Sequence, residues 1–384
     1  MLSAGWFAPA LLIALVAGLL GSQSHPRWRR LFAWLPLPLW CYGVPMLLRA
    51  VGVLPPEHPA YHWITEQLFP VALALLLLGI DLPSLRRLGG MALAAMAVGS
   101  AAIVLGGPLM WWIARDRLPP EAWKGISILA ATWTGGSLNM LAVRAILNVP
   151  DTVFAPLVVI DAIAAYSWMA CLIWAQSAHQ RFDRWLKVPA QALMRAAAVP
   201  EPTPQQSGRI GLAVIVAIGM TIACRMVSGM LPVGGLVSSR TGWTVLLITT
   251  LGLALTCVGP IQPAGRSGTS AGYGLLYVVL ASLGAQASVK ALAATPMWLV
   301  VAFGWIALHG LTMLLAGRMG KIPLGMLATA SQANIGGVVS APLVGAVYDP
   351  SLAAAGLLLA LLGNALGTYL GLVAATLCRW LGAA

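Results

Sequence analysis

The chain has 384 residues, of which 60% are hydrophobic and 8% charged, with a mean hydropathy of +0.88. Soluble domains average about 25% charged residues, so a soluble enzyme or binding domain is excluded and a polytopic membrane protein is indicated. The net charge of +12 does not point to nucleic acid: the basic residues fall in short gaps between apolar runs, as membrane topology signals do.

The opening stretch MLSAGWFAPALLIALVAGLLGS has the length of a signal peptide. No basic residue precedes its apolar run, and Arg27, Arg29 and Arg30 follow it, so it reads as a first membrane helix. Apolar runs near the 20 residues that cross a bilayer fall at roughly 5–21, 31–53, 63–80, 89–114, 153–178, 209–230, 241–260, 271–289, 297–317 and 353–378. Two further apolar stretches, 121–149 and 322–348, are interrupted at their centres. The long polar segment HQRFDRWLKVPAQALMRAAAVPEPTPQQSGR separates the two sets of runs and has linker composition. The expected organisation is a membrane repeat over 1–180, a cytoplasmic linker over 181–208 and a second membrane repeat over 209–384.

The halves share an order of events. In each, two plain runs precede one that ends in a polar cluster, LLLLGIDLPSL with Asp81 and LASLGAQASVKAL with Gln286. A plain run follows, then an interrupted stretch, then a last run with polar residues at its middle. The interrupted stretches carry Gly135–Gly136 and Gly336–Gly337 and close on NVPD and VYDP. An internal duplication is expected, with an all-α fold of two inverted repeats of about five transmembrane helices. Each repeat then holds a Gly-Gly re-entrant hairpin, because arms of 11–14 residues are short for a span. Broken full crossings are the alternative. Either topology leaves the same excess of basic residues on the linker's side, so the charge rule does not separate them.

Non-helical backbone at membrane depth survives where it lines a cavity or is buried in protein. The double glycines permit positive φ and close approach of a ligand, or else merely tight helix packing. Ser137 opens an arm whose free N–H groups suit a carboxylate, and the carbonyls near Thr134 suit a cation. Asn139, Ser331, Gln332 and Asn334 add neutral hydrogen-bonding groups. Arg144 reads either as a counter-charge for an anionic substrate or as a residue at the base of a hairpin.

Asp161 lies inside VFAPLVVIDAIAAYSWMACLIW, where a carboxylate costs about 2.5–3.5 kcal/mol on insertion scales and marks an ion or proton pathway. Capping of neighbouring backbone is its plainer role. Asn364 and Thr368 hold the comparable place in the second half. Asp81 is expected to end its helix at the surface near Arg86 and Arg87. Trp133 and Trp168 are candidates to line a cavity, whereas the other tryptophans read as interfacial anchors.

Cys41, Cys171, Cys224, Cys257 and Cys378 lie in apolar runs without CxxC spacing and read as small buried hydrophobes. His309 reads as a packed, hydrogen-bonded core residue. No enzyme or nucleotide-binding signature is present, so no catalytic activity and no organic cofactor are expected; transport would draw on an ion gradient or run downhill.

The segments TWTGGSLNMLAVRAILNVPDTVFAPLVVIDAIAAYSW and SQANIGGVVSAPLVGAVYDPSLAAAGLLLALLGNALGTYLG resemble the two signature regions of the bacterial integral-membrane family catalogued as domain of unknown function 819. More distantly, the plan is similar to the sodium/glutamate and 2-hydroxycarboxylate symporters. That similarity implies hairpin tips at Gly135–Gly136 and Gly336–Gly337 beside substrate and ion sites. In this chain Ser137-Leu138 and Val338-Val339 follow the glycines, where those symporters have a further glycine. The expectation is a multi-pass protein of the bacterial inner membrane, in contact with lipid and compatible with a homodimer. It would carry a small polar, anionic metabolite with Na+ or H+ as coupling ion; a passive channel and a non-transporting assembly subunit are the rivals.

Overall fold

Long aliphatic runs with no partner for their backbone except themselves form helices, and helices are what the computed structural model contains. It describes residues 2–23, 25, 28, 32, 37–81, 88–189, 210–237, 239–258, 262–287 and 296–383. Most of the expected linker, together with Arg27, Arg29, Arg30, Arg86 and Arg87, lies outside the described residues.

The helices of the first half are α1 (Leu2–Gln23), α2 (Leu37–Ala50), α3 (Pro59–Leu78), α4 (Gly90–Ala114), α5 (Ala122–Gly135), α6 (Ser137–Leu147), α7 (Asp151–Ala175) and α8 (His179–Leu186). Those of the second are α9 (Ile210–Ser228), α10 (Arg240–Leu255), α11 (Gln262–Gln286), α12 (Pro296–Gly320), α13 (Leu324–Ile335), α14 (Gly337–Tyr348) and α15 (Leu352–Ala383). Among the described residues, eight helical segments are long and apolar enough to cross a membrane, and no strand forms beyond an isolated bridge at Gly234 and Val237. Ten spanning runs were expected. The difference lies at α2 and α10, whose described helices have 14 and 16 residues; turns at Val51–Gly52 and Thr256–Cys257 end them inside the apolar runs, and residues 33–36 before α2 lie outside the described residues.

The helices sort into two groups by packing. The first holds α1, α2, α3, α9, α10 and α11, and the second α4 to α7 with α12 to α15. In the first, α11 crosses α3 on a row of glycines spaced three and four apart, Gly265, Gly268 and Gly272. A Cβ at Gly272 would lie 2.9 Å from Leu76 Cγ, so small residues let the backbones close up. In the second, Gly106 and Gly107 of α4 leave the space that Trp305 of α12 fills. Trp305 donates to Ile103 O at 3.0 Å and its ring lies 4.7 Å from that of Trp133. The groups meet where Ser239, at the start of α10, donates to Ala145 O at 3.2 Å near the end of α6, and where α2 touches α7.

Both interrupted stretches fold back on themselves. A Cβ at Gly371 of α15 would lie 2.9 Å from Ser127 O on α5 and 3.0 Å from Val143 Cγ2 on α6. Those two residues stand nearly equally far from Gly135–Gly136, so the arms run antiparallel from that point. In the second stretch, Gln332 Nε2 donates to Ser340 Oγ at 2.9 Å across the turn. Further down, a Cβ at Gly325 would lie 3.0 Å from Tyr348 Cβ.

The two hairpins are tied to opposite ends of α7. Arg144, in the last turn of α6, pairs with Asp151 at its first residue (2.5 Å). Tyr348, at the end of α14, donates to Leu172 O near its last turn at 2.6 Å. With 25 residues α7 is about 37 Å long, and both tips line one cavity with Asp161, near its middle.

Three cysteines are buried as expected, but Cys171 and Cys257 are exposed on outer faces.

Candidate functional site

Each tip uses its two glycines differently. Gly136 (φ 78°, ψ 176°) and Gly337 (φ 77°) hold backbone conformations that a side chain would strain. Gly135 and Gly336 have ordinary φ and are glycine for space. A Cβ on Gly135 would lie 2.8 Å from Gly367 Cα, and one on Gly336 would collide with Gln332 and Ser340. Of the two uses the sequence allowed, positive φ thus falls to the second glycine of each pair and close packing to the first.

Beyond each tip a new helix begins without a side-chain cap. The first amides of α6, at Ser137 and Leu138, and of α14, at Gly337 and Val338, have no intrahelical acceptor. Two positive helix ends therefore face one region.

That region is a cavity of about 210 Å³. Gly136 and Ser137 reach it from the first hairpin, and Gln332, Gly336 and Gly337 from the second. Asp161 and Tyr166 line it from α7, and Asn364 from α15. The opposite wall comes from the other helix group: Leu76, Gly79 and Ile80 on α3 and its end, Thr269, Tyr273 and Tyr277 on α11, and Leu37 to Leu39 on α2. The cavity thus lies at the seam between the groups.

Asp161 is the sole formally charged side chain among the described lining residues. Its Oδ1 accepts from Trp133 Nε1 at 2.8 Å and its Oδ2 from the Thr132 hydroxyl at 3.4 Å. Among the described residues no cation forms an ion pair with it. Both donors sit one turn before the first tip, so the hairpin aims the carboxylate. Gln332 is buried, with Nε2 spent on Ser340 and Oε1 without a partner.

The other expected site residues stand behind the lining and hold it. Asn139 donates to Gly135 O at 2.6 Å and to Asn364 O at 3.2 Å, and accepts from Thr368 at 2.6 Å. These bonds fasten the first tip to α15. Thr134 bonds back to Ala130 O at 2.7 Å. Asn334 accepts from Ser100 of α4 at 2.8 Å. Ser331 takes the Trp168 N–H at 2.8 Å and lies 2.8 Å from Nε2 of His309, whose Nδ1 is 3.1 Å from Gly99 O. A His309 tautomer protonated at Nδ1 satisfies the whole set, so this buried histidine is a packed core residue.

Arg144 does not reach the cavity. It pairs with Asp151 and lies over the Phe154 ring at 4.4 Å, which places it at the hairpin base and removes it from the substrate-facing set. Trp133, buried, and Trp168, partly buried, likewise serve as hydrogen-bond donors and do not line the cavity. Asp81 pairs with Arg266 of α11 at 2.6 Å; Arg86 and Arg87, expected close by, lie outside the described residues. Sequence reasoning missed the wall from α11. Its signal was present, since Thr269, Tyr273 and Tyr277 recur every four residues on one helix face, and the two rings stack at 6.1 Å.

Comparison with known proteins agrees with this membrane architecture. An uncharacterized membrane protein of Bacillus subtilis (strain 168), YjcL, is 24% identical to the chain over 345 residues, 85% of each sequence. The profile of the family described as protein of unknown function (DUF819) matches residues 10–381, and this multi-pass membrane protein belongs to that family.

Proposed function

We propose that the protein is a secondary active transporter of the bacterial inner membrane, built of two inverted repeats whose re-entrant hairpins meet at the bilayer midplane. The substrate is a small polar, anionic metabolite such as a carboxylate or an amino-acid derivative. Its anionic group rests on the amides of the hairpin tips at Gly136–Ser137 and Gly336–Gly337. The coupling ion, Na+ or H+, is taken at Asp161, with Asn364 beside it. Alternating access comes from the group carrying both hairpins moving against the group of α1 to α3 and α9 to α11.

One observation carries this reading: the cavity between the groups collects two uncapped helix ends and one carboxylate that has donors but, among the described residues, no paired cation. An anion alone would face Asp161 unscreened, so a cation at Asp161 is what makes anion binding favourable. The tethering of the hairpins to opposite ends of α7 supports the inverted arrangement.

The test is the thermal midpoint of the purified protein with and without sodium, across pH, for wild type and Asp161→Asn. A cation at ten times its dissociation constant stabilises by about 1.4 kcal/mol. Sodium stabilisation that vanishes in the variant is the expected result. A pH-dependent shift that the variant abolishes, without a sodium effect, assigns the coupling to protons. Indifference to both ions and to the substitution would sink ion coupling, and gradient-independent flux in vesicles would mark a passive pore.

A further inference from the structure

The short helix α8, HQRFDRWL, follows α7 by one turn and has strong two-faced character. Its apolar face is spent on protein. Leu186 is fully buried, and with Phe182 it packs into the cluster of Met313, Ile322 and Leu324 at the ends of α12 and α13. Its polar face is basic and open: Arg181, Arg184 and Lys187 are exposed, and Lys321 beyond the end of α12 joins them. Of the acidic residues here, Asp183 accepts from the Leu324 amide at 2.8 Å, and Asp349 is bound by Ser351 at 2.5 Å and 2.8 Å.

Exposed apolar side chains stand just below this basic rim. Trp174 in the last turn of α7 is 74% exposed and Met319 at the end of α12 is 86% exposed. Helix ends with such side chains outward sit where acyl chains give way to headgroups. Trp185 and Arg318 lock the rim to α12: Arg318 donates to Trp185 O and stacks over its ring at 5.0 Å.

The geometry points to a binding surface for anionic phospholipid headgroups, formed by Arg181, Arg184, Lys187 and Lys321 and linked through Asp183 to the second hairpin. The chemistry is a phosphate anion held against several cations at the bilayer surface. The consequence runs through the Leu324 amide, the first of α13, which has no intrahelical acceptor and depends on Asp183. Lipid that holds α8 in the headgroup plane therefore steadies the base of the hairpin whose tip lines the cavity. This inference does not depend on what the protein transports.

The experiment is amide hydrogen exchange of the full chain in nanodiscs of phosphatidylcholine alone or mixed with phosphatidylglycerol. In wild type, the amides of Leu324 to Leu327 should exchange several-fold more slowly with the anionic lipid, and the difference should shrink at high salt. Combining Arg181→Gln, Arg184→Gln and Lys187→Gln should abolish that difference while the amides of Trp305 to His309 in α12 stay protected, which controls for folding. Asp183→Ala should leave fast exchange in both lipids. Equal exchange in the two bilayers for wild type overturns the proposal, as does a difference that survives the triple substitution. Protection retained in Asp183→Ala overturns the link to the hairpin. Slowing by inorganic phosphate in phosphatidylcholine discs would assign the site to a soluble anion instead of lipid.

Discussion

Trp133 Nε1 donates to Asp161 Oδ1 at 2.8 Å, joining the turn before the first hairpin tip to the middle of α7. The indole N–H offsets the same carboxylate charge that, under the proposed coupling, a bound cation would offset. Trp133→Phe keeps most of the volume and removes the donor, which costs about 1.5–3 kcal/mol for a bond to a charged acceptor. Without sodium the variant should melt lower than wild type, and sodium should raise its midpoint by more than it raises that of wild type. Thr132→Val, whose bond is 3.4 Å long, should move both quantities less. Equal sodium increments in wild type and Trp133→Phe would show that the indole does not share the charge with a cation.

The division of labour within each glycine pair gives an order of stabilities. Gly135→Ala sets a methyl against Gly363 and Gly367, backbone of α15 that cannot swing aside. Gly136→Ala meets open space except for Asn364 Oδ1 at 3.4 Å and carries only the strain of its φ and ψ, about 1–3 kcal/mol. Gly219, in α9, has nothing within 4 Å, and alanine there should be neutral or stabilising by up to about 1 kcal/mol. Thermal midpoints should therefore fall in the order Gly219→Ala, Gly136→Ala, Gly135→Ala. A midpoint for Gly135→Ala at the wild-type value would contradict the close packing of α5 on α15.

The polar interruptions were legible in the sequence because paired glycines flanked by Ser and Asn recur at matching places in two aliphatic runs. Their path was not: a folded-back stretch and a straight broken one have the same composition and the same basic residues at their ends. Nor was the shared partner of the two arms legible: Ser127 and Val143 approach the same glycine, Gly371, more than 200 residues on. Arg144 was open for a similar reason. Its partner Asp151 lies seven residues on, across the Asn148–Pro150 turn, where no helical spacing rule applies. The α11 wall was passed over because Tyr273 and Tyr277 sit in a run that reads as an ordinary span, and the cavity they face is made by the other half of the packing.

Arg144 then yields a prediction that separates structure from substrate binding. Its side chain is 16% exposed and that of Asp151 is 43% exposed, so water offsets part of the loss when the pair is cut. Arg144→Met should destabilise by about 1–3 kcal/mol, less than the 3–5 kcal/mol of a fully buried pair. Adding Asp151→Asn should recover part of that loss. Sodium stabilisation and the KM for uptake should stay near wild type. A large rise in KM with unchanged stability would return Arg144 to the binding site.

Tyr273 and Tyr277 test whether the wall across the seam touches substrate. Both hydroxyls belong to the group opposite Asp161, so their loss should change substrate recognition without changing the response to sodium. Tyr273→Phe and Tyr277→Phe keep the stacked rings and remove one hydrogen-bonding group each. A neutral hydrogen bond contributes about 0.5–1.5 kcal/mol, which corresponds to a rise in KM of about two- to tenfold. The sodium-dependent shift in midpoint, set by Asp161 on α7, should match wild type in both variants. If both KM values are unchanged, the substrate sits wholly on the hairpin side and the seam serves only as the surface on which the two groups slide. If the sodium response falls together with affinity, the cation reaches across the cavity and the two sites are one.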